Sequence, residues 1–509
     1  MDSVQKSSNA DDWLLDIHRK LYQWSKNNAE GGAYRDLWNW VTDKRNLDLA
    51  WQRVATNKGR GTAGIDGVTV RSIRNRKGAE QAYLEDLRAR LRSGVYHPKP
   101  VRRHWIPKPG KPGELRGLGI PTIEDRVVQA AILQIIEPLF EARFLHVSHG
   151  FRPGRAVRDA IEIIRRTAGT MCKDERRRKI NPPYEWVIEG DIKGCFDNIS
   201  HHAIMKRVRM TVADHKVTRL INAFLKAGIM EECKYIRTVK GTPQGGILSP
   251  LLANIALSAI EERYLRWVAP IRTRFGLVKN RIIAGFNFRK RDREKGKAVF
   301  YPVRYADDFV LIACGTRDEM ESERLALANL LQTELGVELS EEKTKVTKLT
   351  DGFNFLGHYL RLKWNPRWGW VMQALTPLER QARLRRKIKS LTKRESTKLT
   401  LAALLSMLNP ITRGWGNFYR HTNGAYWIFK RMDYYVYMRI FHWLRAKHNT
   451  NRWMFLVRRY LKPSRRTGWD VWTDGEIQCA KLLEIPRGRW ELRKRVLPSY
   501  MTTVGEPGA

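Results

Sequence analysis

Residues 303–313 have the sequence VRYADDFVLIA, in which two short apolar runs flank the adjacent acids Asp307 and Asp308. Such runs predict two β-strands joined by a tight turn that carries both acids. Upstream, residues 184–191 have the sequence YEWVIEGD, an alternating run that predicts another strand ending at Asp191. Like charges among strands that should be buried are costly unless a cation neutralises them. The three carboxylates are therefore candidate metal ligands.

Adjacent acids alone are a weak signal for such a site. Asp11 and Asp12 form a second pair in this chain, and surface turns commonly contain such pairs. In a purely structural arrangement each acid would have its own cationic partner, for which the sequence offers Arg304 and Lys193. Polymerisation of nucleotides instead needs two divalent metal ions held by converging oxygen ligands. The three carboxylates could supply these ligands together.

The charge of the chain points to a polyanionic partner. The 509 residues, enough for several packed units, include 94 Lys and Arg against 52 Asp and Glu, for a net charge of +42. Nucleic acid is the partner that such a balance favours, and 18 Trp and 17 Tyr could stack on bases. The alternative is a basic protein that merely stays soluble or touches anionic membranes.

The cysteines and the N-terminus indicate a reducing, cytoplasmic setting. No CxxC pair occurs among the cysteines, so a zinc ribbon or a disulfide framework is not expected. The N-terminus lacks a basic and then apolar signal pattern, and no run approaches the roughly 18 apolar residues of a membrane span. We therefore expect no membrane partner.

The pattern along the chain changes several times. Residues 1–50 have helical periodicity, residues 57–69 (NKGRGTAGIDGVT) carry turn glycines, and residues 79–93 again predict a helix. Residues 267–297 are basic and irregular, which suggests an insertion. After about Pro366 the sequence becomes helical and strongly basic, and we place a domain boundary there.

Residues 380–394 predict an amphipathic basic helix. Eight cations occur in these fifteen residues, while Leu384, Ile388 and Leu391 are spaced for one buried face. Such a helix could bind a nucleic-acid groove, lie on a membrane or simply present a solvated face. The candidate RNA contacts on this helix are Arg383, Arg386 and Lys387.

Residues 408–423, LNPITRGWGNFYRHTN, place aromatic side chains beside arginines. The aromatic residues could pack between helices or stack on RNA, and we expect Trp415, Phe418 and Tyr419 to be mostly core. Arg413 and Arg420 are the candidate phosphate contacts. Further basic residues extend this surface, namely Arg439, Arg445, Lys447, Arg458 and Arg459.

Taken in order, several blocks resemble those of group II intron reverse transcriptases. They are IPKPGKPGELRGLGIPTIEDRVVQ, SHGFRPGRAVRDA, EGDIKGCFDNISHH, GTPQGGILSPLLANI, VRYADDFVLIA, LGVELSEEKTKV and FNFLGHYL. With the glycine loop they cover residues 57–360, and LNPITRGWGNFYRHTN resembles the maturase domain of the same family. The resemblance implies an α+β right-hand polymerase, with fingers and palm, followed by an all-α thumb and maturase domain.

The resemblance also implies roles at the metal site. Asp191 and Asp307 match the two shared ligands of two Mg²⁺ ions, Asp308 completes the triad, and the backbone carbonyl of Ile192 is a further candidate ligand. Lys108, in IPKPG, matches a cation that holds the incoming triphosphate. The longer turn PGKPGEL leaves its reach open, and a solvated loop cation is the alternative.

Other nucleotide contacts follow from the same resemblance. Arg116 matches a second cation at the triphosphate, again with a solvated side chain as the alternative. Phe196 matches the steric gate, whose ring would clash with a 2′-hydroxyl and so favour deoxynucleotides, although it could also be a core phenylalanine. Gln244, in GTPQGG, could contact the nucleotide, while an ordinary turn is the alternative.

These patterns predict four segments. Residues 1–56 form an N-terminal helical extension, residues 57–365 the fingers and palm, residues 366–460 the helical thumb and maturase domain, and residues 461–509 a short basic tail. Many family members carry an endonuclease with cysteine pairs and histidines, whereas this tail has Cys479 alone and no histidine. We expect no endonuclease, and the tail is a possible DNA-binding remnant.

The expected function is RNA-directed DNA synthesis by a protein that also binds its intron RNA, assists splicing and supports intron mobility by target-primed reverse transcription. The expected partners are group II intron RNA, a DNA target, a primer–template duplex and dNTPs, with one chain per intron RNA. The setting is a bacterial-type cytoplasm, at the nucleoid when the intron is mobile. The alternatives are a splicing-only cofactor and a reverse transcriptase recruited to defence or CRISPR function.

Overall fold

The computed structural model describes residues 2–28, 32–75, 78–107, 113–169, 182–232, 234–273, 276–278, 280–464, 466, 468–488 and 501. These residues form two compact units. The first unit contains the described parts of Met1–Ile163, Tyr184–Val346 and Arg493–Ala509, and the second contains those of Ile164–Pro183 and Thr347–Leu492. Among the described helices, none is both long enough and apolar enough to cross a bilayer.

The first unit is built around one central helix. The helices up to the strand that ends at Asp191 are α1 (Asp2–Asn27), α2 (Trp38–Val41), α3 (Lys44–Thr56), α4 (Val70–Ile73), α5 (Ala79–Ser93), α6 (Ile123–Glu141) and α7 (Val157–Ala168). Helix α6 begins where the hydroxyl of Thr122 accepts the N–H of Asp125, and it is buried on nearly every side against α1, α2 and α3. The predicted helices in residues 1–50 and 79–93 are confirmed.

Later helices of the first unit include one that the sequence did not predict. They are α8 (Cys195–Asn198), α9 (His201–Arg209), α10 (His215–Lys226), α11 (Ser249–Arg263), α12 (Leu265–Val268), α13 (Arg281–Glu294) and α14 (Arg317–Leu335). Helix α13 occupies much of the segment that we expected to be irregular, and that expectation is wrong. Asn280 caps the helix, and the buried Asp292 accepts hydrogen bonds from Arg266 and Trp267. Polar contacts hold this helix, so no apolar stripe signals it.

Two four-stranded sheets accompany these helices. The strands are β1 (Val101–Pro107), β2 (Leu115–Ile120), β3 (Trp186–Asp191), β4 (Ile229–Glu231), β5 (Lys234–Ile236), β6 (Arg272–Thr273), β7 (Gly276–Leu277), β8 (Val299–Tyr305), β9 (Asp308–Cys314) and β10 (Lys345–Lys348). The sheet orders are β2-β1-β4-β5 and β10-β3-β9-β8, and β6 pairs with β7.

The second sheet confirms the strands predicted around the acids. Strands β8 and β9 are antiparallel and almost wholly buried, and β3 lies antiparallel to β9 on its other side. Near-continuous apolar runs are typical of strands that are covered on both faces. Helix α11 packs against β8, which buries one such face.

The second unit combines helices with sheet. Its elements are β11 (Phe353–Phe355), β12 (His358–Asn365), β13 (Gly369–Leu375), α15 (Leu378–Leu391), α16 (Leu401–Tyr419), α17 (Ala425–His448), α18 (Trp453–Tyr460), β14 (Leu461–Pro463) and β15 (Asp470–Trp472). Strands β11, β12 and β13 form an antiparallel sheet, and the helices share a core with Leu384, Leu408 and Ile440 fully or nearly buried.

The structure differs here from two expectations. The boundary expected near Pro366 falls in the turn of the β12–β13 hairpin, so the segment from residue 366 is not all-α. The Asn365 side chain accepts the N–H groups of Arg367 and Trp368, which makes this proline-containing stretch a hairpin turn. The described residues between 461 and 488 are no appended tail either, because Trp472 and Leu482 are buried in the helical core.

Candidate active site

The turn between β8 and β9 carries the acidic pair. Tyr305 ends β8, Asp308 begins β9, and Ala306 between them has a φ of 58°. Asp308 lies directly opposite Asp191 in the β3–β9 register, where the Cα atoms of antiparallel partners are about 4.5–5.5 Å apart. The structure therefore brings the three predicted carboxylates together.

Burial and the charges of neighbouring acids make the carboxylates of Asp307 and Asp308 harder to ionise. Loss of hydration, followed by the charges of Asp307 and Asp191, raises the pKa of Asp308 to about 6. Burial also raises the pKa of Asp307, an effect to which Asp191 adds and which Arg116 opposes. Carboxylates that are hard to ionise for these reasons are stabilised in their charged form by a nearby cation.

Lys343 is a cation that pairs with one of these acids. Its Nζ lies 2.8 Å from Oδ2 of Asp191, and both side chains are partly exposed. The sequence offered Arg304 and Lys193 for this structural role, whereas Arg304 forms its ion pair with Glu261. Lys343 belongs to the block LSEEKTKV, and sequence reasoning gave it no role.

Arg304 holds the acidic turn through buried hydrogen bonds. Its guanidinium is fully buried and donates four hydrogen bonds of 2.8–2.9 Å, whose acceptors are Glu261 Oε1, Asn254 Oδ1, Ser148 Oγ and the Ala306 carbonyl. The acceptors come from α11, from the segment before α7 and from the turn itself. Arg304 therefore fixes the β8–β9 turn to two other parts of the first unit.

Ile192 follows Asp191 and forms a bridge with Leu339. The hydrogen bonds on either side run from the Ser340 N–H to the Asp191 carbonyl and from the Lys193 N–H to the Glu338 carbonyl. This pattern puts Ile192 in the non-hydrogen-bonded position of the bridge. Its carbonyl therefore points away from Leu339, towards the side of β3 on which β9 lies.

Three of the predicted nucleotide contacts lie on segments that hydrogen bonds connect. The GTPQGG loop is fixed to β2, because the Gly119 N–H donates to the Gln244 carbonyl at 2.7 Å. The same loop is fixed to α8, because the Thr242 N–H donates to the Phe196 carbonyl at 2.6 Å. Arg116 is an exposed residue of β2. The structure thus places Arg116, Phe196 and Gln244 on neighbouring segments, while Lys108 lies outside the described residues.

Comparison with known proteins gives the family. A family model for reverse transcriptase (RNA-dependent DNA polymerase) matches residues 106–360, and one for the group II intron maturase-specific domain matches residues 381–461. Protein YkfC of Escherichia coli K12 is 37% identical over 351 residues, 68% of this chain and 88% of that protein. Group II intron-encoded protein LtrA of Lactococcus lactis subsp. cremoris is 32% identical over 379 residues, 67% of this chain and 59% of that protein. The chain belongs to the group II intron-encoded reverse transcriptase and maturase family.

This membership confirms the family that the sequence blocks resembled. A further relative, the putative COX1/OXI3 intron 1 protein of Saccharomyces cerevisiae, is 28% identical over 381 residues, which are 70% of this chain and 42% of that protein. The chain thus joins a reverse transcriptase domain, with the right-hand polymerase fold that this domain implies, to a maturase domain.

The maturase domain presents the predicted basic helix as expected. In α15, Leu384 and Ile388 are buried, whereas Arg383, Arg386 and Lys387 are exposed. On α16 Arg413 is also exposed, while Arg420, just after this helix, is half-buried and donates to the His421 ring at 3.1 Å. All five side chains of the predicted RNA surface are thus reached by solvent.

Two other cations of the predicted basic surface have structural partners in the maturase domain. Arg439 donates to the hydroxyl and the carbonyl of Thr392. Lys447 donates to the carbonyls of Thr397 and Leu399. These side chains therefore hold the connection between α15 and α16, a role that a count of positive charges does not reveal.

Aromatic residues of the maturase domain divide between core and surface. Tyr419 is buried and Trp415 packs against the core, as predicted, but Phe418 is 43% exposed. Sequence reasoning missed Trp427 and Tyr434, which are 63% and 67% exposed and lie seven residues apart in α17. Residues at that spacing share one face of a helix.

Proposed function

We propose that this chain is an RNA-directed DNA polymerase that works with two Mg²⁺ ions, binds its group II intron RNA to assist splicing, and supports intron mobility by target-primed reverse transcription. One observation carries the polymerase proposal. Asp191 and Asp308 face each other across β3 and β9, with Asp307 beside them, and the pKa of Asp308 is raised to about 6. Lys343 pairs with Asp191, yet the pKa of Asp308 stays raised, and perturbed carboxylates that face each other in this way are typical of functional sites.

The residues at this turn fit magnesium. Asp191 and Asp307 would hold the ions, with Asp308 and the carbonyl of Ile192 as further ligands. When bound, the ions activate the primer hydroxyl and stabilise charge on the triphosphate. Among the described residues, no group of three or more His, Cys, Asp or Glu side chains forms a ready coordination shell. Magnesium sites in polymerases use one or two carboxylates and complete the shell with water and substrate phosphates.

The surrounding residues would bind and orient the nucleotide. Arg116 is exposed and close enough to the acids to lower the pKa of Asp307, so a triphosphate held beside them would meet its positive charge. Gln244 would contact the nucleotide, and the ring of Phe196 would exclude a 2′-hydroxyl. Lys108 is proposed as a second triphosphate contact on sequence grounds.

RNA binding is proposed for the second unit, with the first unit supplying fingers and palm. The exposed cations Arg383, Arg386, Lys387, Arg413 and Arg420 would contact phosphates of the intron RNA, which makes binding sensitive to salt. The exposed rings of Trp427 and Tyr434 could stack on unpaired bases. The name of LtrA identifies a group II intron-encoded protein, and we propose the same intron partnership here, with one chain per RNA.

Primer extension on an RNA template tests the polymerase proposal. The Asp307→Asn and Asp308→Asn variants should each extend the primer at least about a hundredfold more slowly, because each loses a carboxylate that would hold a magnesium ion at the transferring phosphate. The double variant Asp11→Asn/Asp12→Asn alters an exposed acidic pair in α1 and should extend at the wild-type rate.

Two results would contradict the proposal. A wild-type protein that does not extend the primer would leave the splicing-only interpretation. Full extension by the Asp307→Asn variant would show that DNA synthesis does not need this carboxylate, and it would contradict the proposed metal site. Splicing of the intron RNA at low magnesium, with and without protein, tests the maturase function separately, and the wild-type protein should accelerate it.

A further inference from the structure

Phe151 has an unusual backbone conformation next to the acidic turn. Its φ is 56°, in the left-handed region that residues other than glycine, asparagine and aspartate seldom adopt. Its side chain is nevertheless 53% exposed, so the conformation does not serve to bury the ring in a core. Strain of this kind persists where the surrounding structure imposes it, and it concentrates at functional sites.

Buried contacts on both sides impose this conformation. On one side, Asn254 Nδ2 donates to the Gly150 carbonyl at 2.7 Å, and a Cβ at Gly150 would lie 2.2 Å from the Ala306 nitrogen. On the other side, Arg152 forms a buried ion pair of 2.9 Å with Glu141. The backbone at Phe151 is therefore held between the acidic turn and the end of α6.

The ring of Phe151 is aimed at one particular neighbour. Its centroid lies 6.0 Å from that of Phe196, and the two ring planes are 82° apart. Edge-to-face pairs of this geometry are attractive and restrict the orientation of both rings. Phe196 is half-buried on the four-residue helix α8.

We infer that Phe151 is a positioning residue for sugar selection, which sets the orientation of the Phe196 ring beneath the nucleotide sugar. This inference rests on the proposed polymerase function and on the proposed role of Phe196. The strained backbone holds the Phe151 ring at a fixed place relative to the acids. That ring then stops Phe196 from turning aside when a ribonucleotide enters. Loss of the Phe151 ring should admit ribonucleotides.

Single-nucleotide incorporation tests this role. The measured quantity is the ratio of kcat/KM for a deoxynucleotide to kcat/KM for the matching ribonucleotide on an RNA template. Phe151→Asn removes the ring with a residue that tolerates the left-handed conformation, and Phe151→Gly is a second variant in case the first does not fold. Each should lower the ratio by about two- to tenfold, the range that loss of one aromatic pair supports.

Three comparison variants make the result specific. Phe151→Tyr keeps the ring and should keep the wild-type ratio. Phe286→Asn removes an equally exposed phenylalanine, 53% accessible on α13, and should also leave the ratio unchanged. Phe196→Ala should lower the ratio strongly, and adding Phe151→Asn to it should have no further effect if Phe151 acts through Phe196.

The outcomes separate this inference from the proposed function. A wild-type protein that does not incorporate deoxynucleotides overturns both. If Phe196→Ala lowers the ratio while Phe151→Asn and Phe151→Gly leave it at the wild-type value, the steric gate stands and the role of Phe151 is refuted. An additive effect in the double variant also refutes it, because the two rings would then act independently.

Discussion

Replacing Arg304 by methionine should destabilise the first unit by about 3–5 kcal/mol, the cost of leaving one member of a buried ion pair without its partner. The exposed fractions of the Arg304 and Glu261 side chains are 0% and 2%, so water cannot hydrate the carboxylate that remains. The Asn254 and Ser148 side chains lose a charged donor at the same time. Thermal unfolding of the full chain should therefore show a large fall in Tm.

The double variant Arg304→Met/Glu261→Leu separates stability from catalysis. Replacing both members of a buried ion pair with apolar residues of similar volume is often neutral for stability, so most of the lost Tm should return. The Ala306 carbonyl still lacks the donor that fixes the turn before Asp307. Primer extension should therefore remain at least about tenfold slower than in the wild type, since small displacements of catalytic groups are costly.

Arg207 provides the matched control. It pairs with Glu262 at 2.9 Å and with Glu334 at 3.2 Å, but both carboxylates are about half exposed. Arg207→Met should cost about 0–1 kcal/mol, as exposed ion pairs do, and extension should stay normal. The reasoning fails if Arg304→Met costs no more than Arg207→Met, or if the double variant extends primers at the wild-type rate.

Three further predictions concern the second unit. Burial raises the pKa of the Asp433 carboxyl to about 6, although hydrogen bonds from neighbouring backbone N–H groups lower it. Ionisation of this residue therefore costs stability. The Tm should rise as the pH falls from 6 towards 4, and an Asp433→Asn variant that keeps the full pH dependence would contradict this. In α16, Gly414→Ala places its methyl group in open space and should stabilise the protein by about 0.5–1 kcal/mol. Gly416→Ala places Cβ 2.3 Å from a neighbouring side-chain atom and should destabilise the protein. Equal Tm values for the two variants would contradict this packing. Arg386→Ala should reduce the slope of log affinity for intron RNA against log salt by about one and leave Tm unchanged. Arg439→Ala should leave this slope unchanged and lower the Tm, because Arg439 donates hydrogen bonds to Thr392. A lower salt slope in that variant would show that Arg439 binds phosphate.

Sequence patterns were sufficient where a side chain's environment depends on its own segment. The apolar runs beside Asp307 predicted β8 and β9, and the spacing of Leu384 and Ile388 predicted the buried face of α15. Both signals are periodic and local, so no distant partner is needed to interpret them. The convergence of Asp191 with the acidic pair required more, namely the order of the family's sequence blocks.

Prediction failed where polar contacts or distant partners decide the structure. Helix α13 depends on the buried Asp292 and its two donors, and the β12–β13 turn depends on the side chain of Asn365. The packing of Trp472 in the helical core depends on residues far away in the chain. None of these contacts leaves a repeating pattern, so composition suggested an irregular insertion, a domain boundary and a tail.

Arg304 and the acidic turn differ in how the fold balances their charges. Arg304 and Asp307 lie three residues apart, and the sequence presents both as charges inside apolar strands. Arg304 has four acceptors from three segments, so its burial is balanced within the protein. Burial and the charge of Asp191 instead raise the pKa of Asp307, so its ionised form needs positive charge from another source. Under the proposed function, the acids of this turn would bind the metal ions, while the balanced charge of Arg304 holds the turn in place.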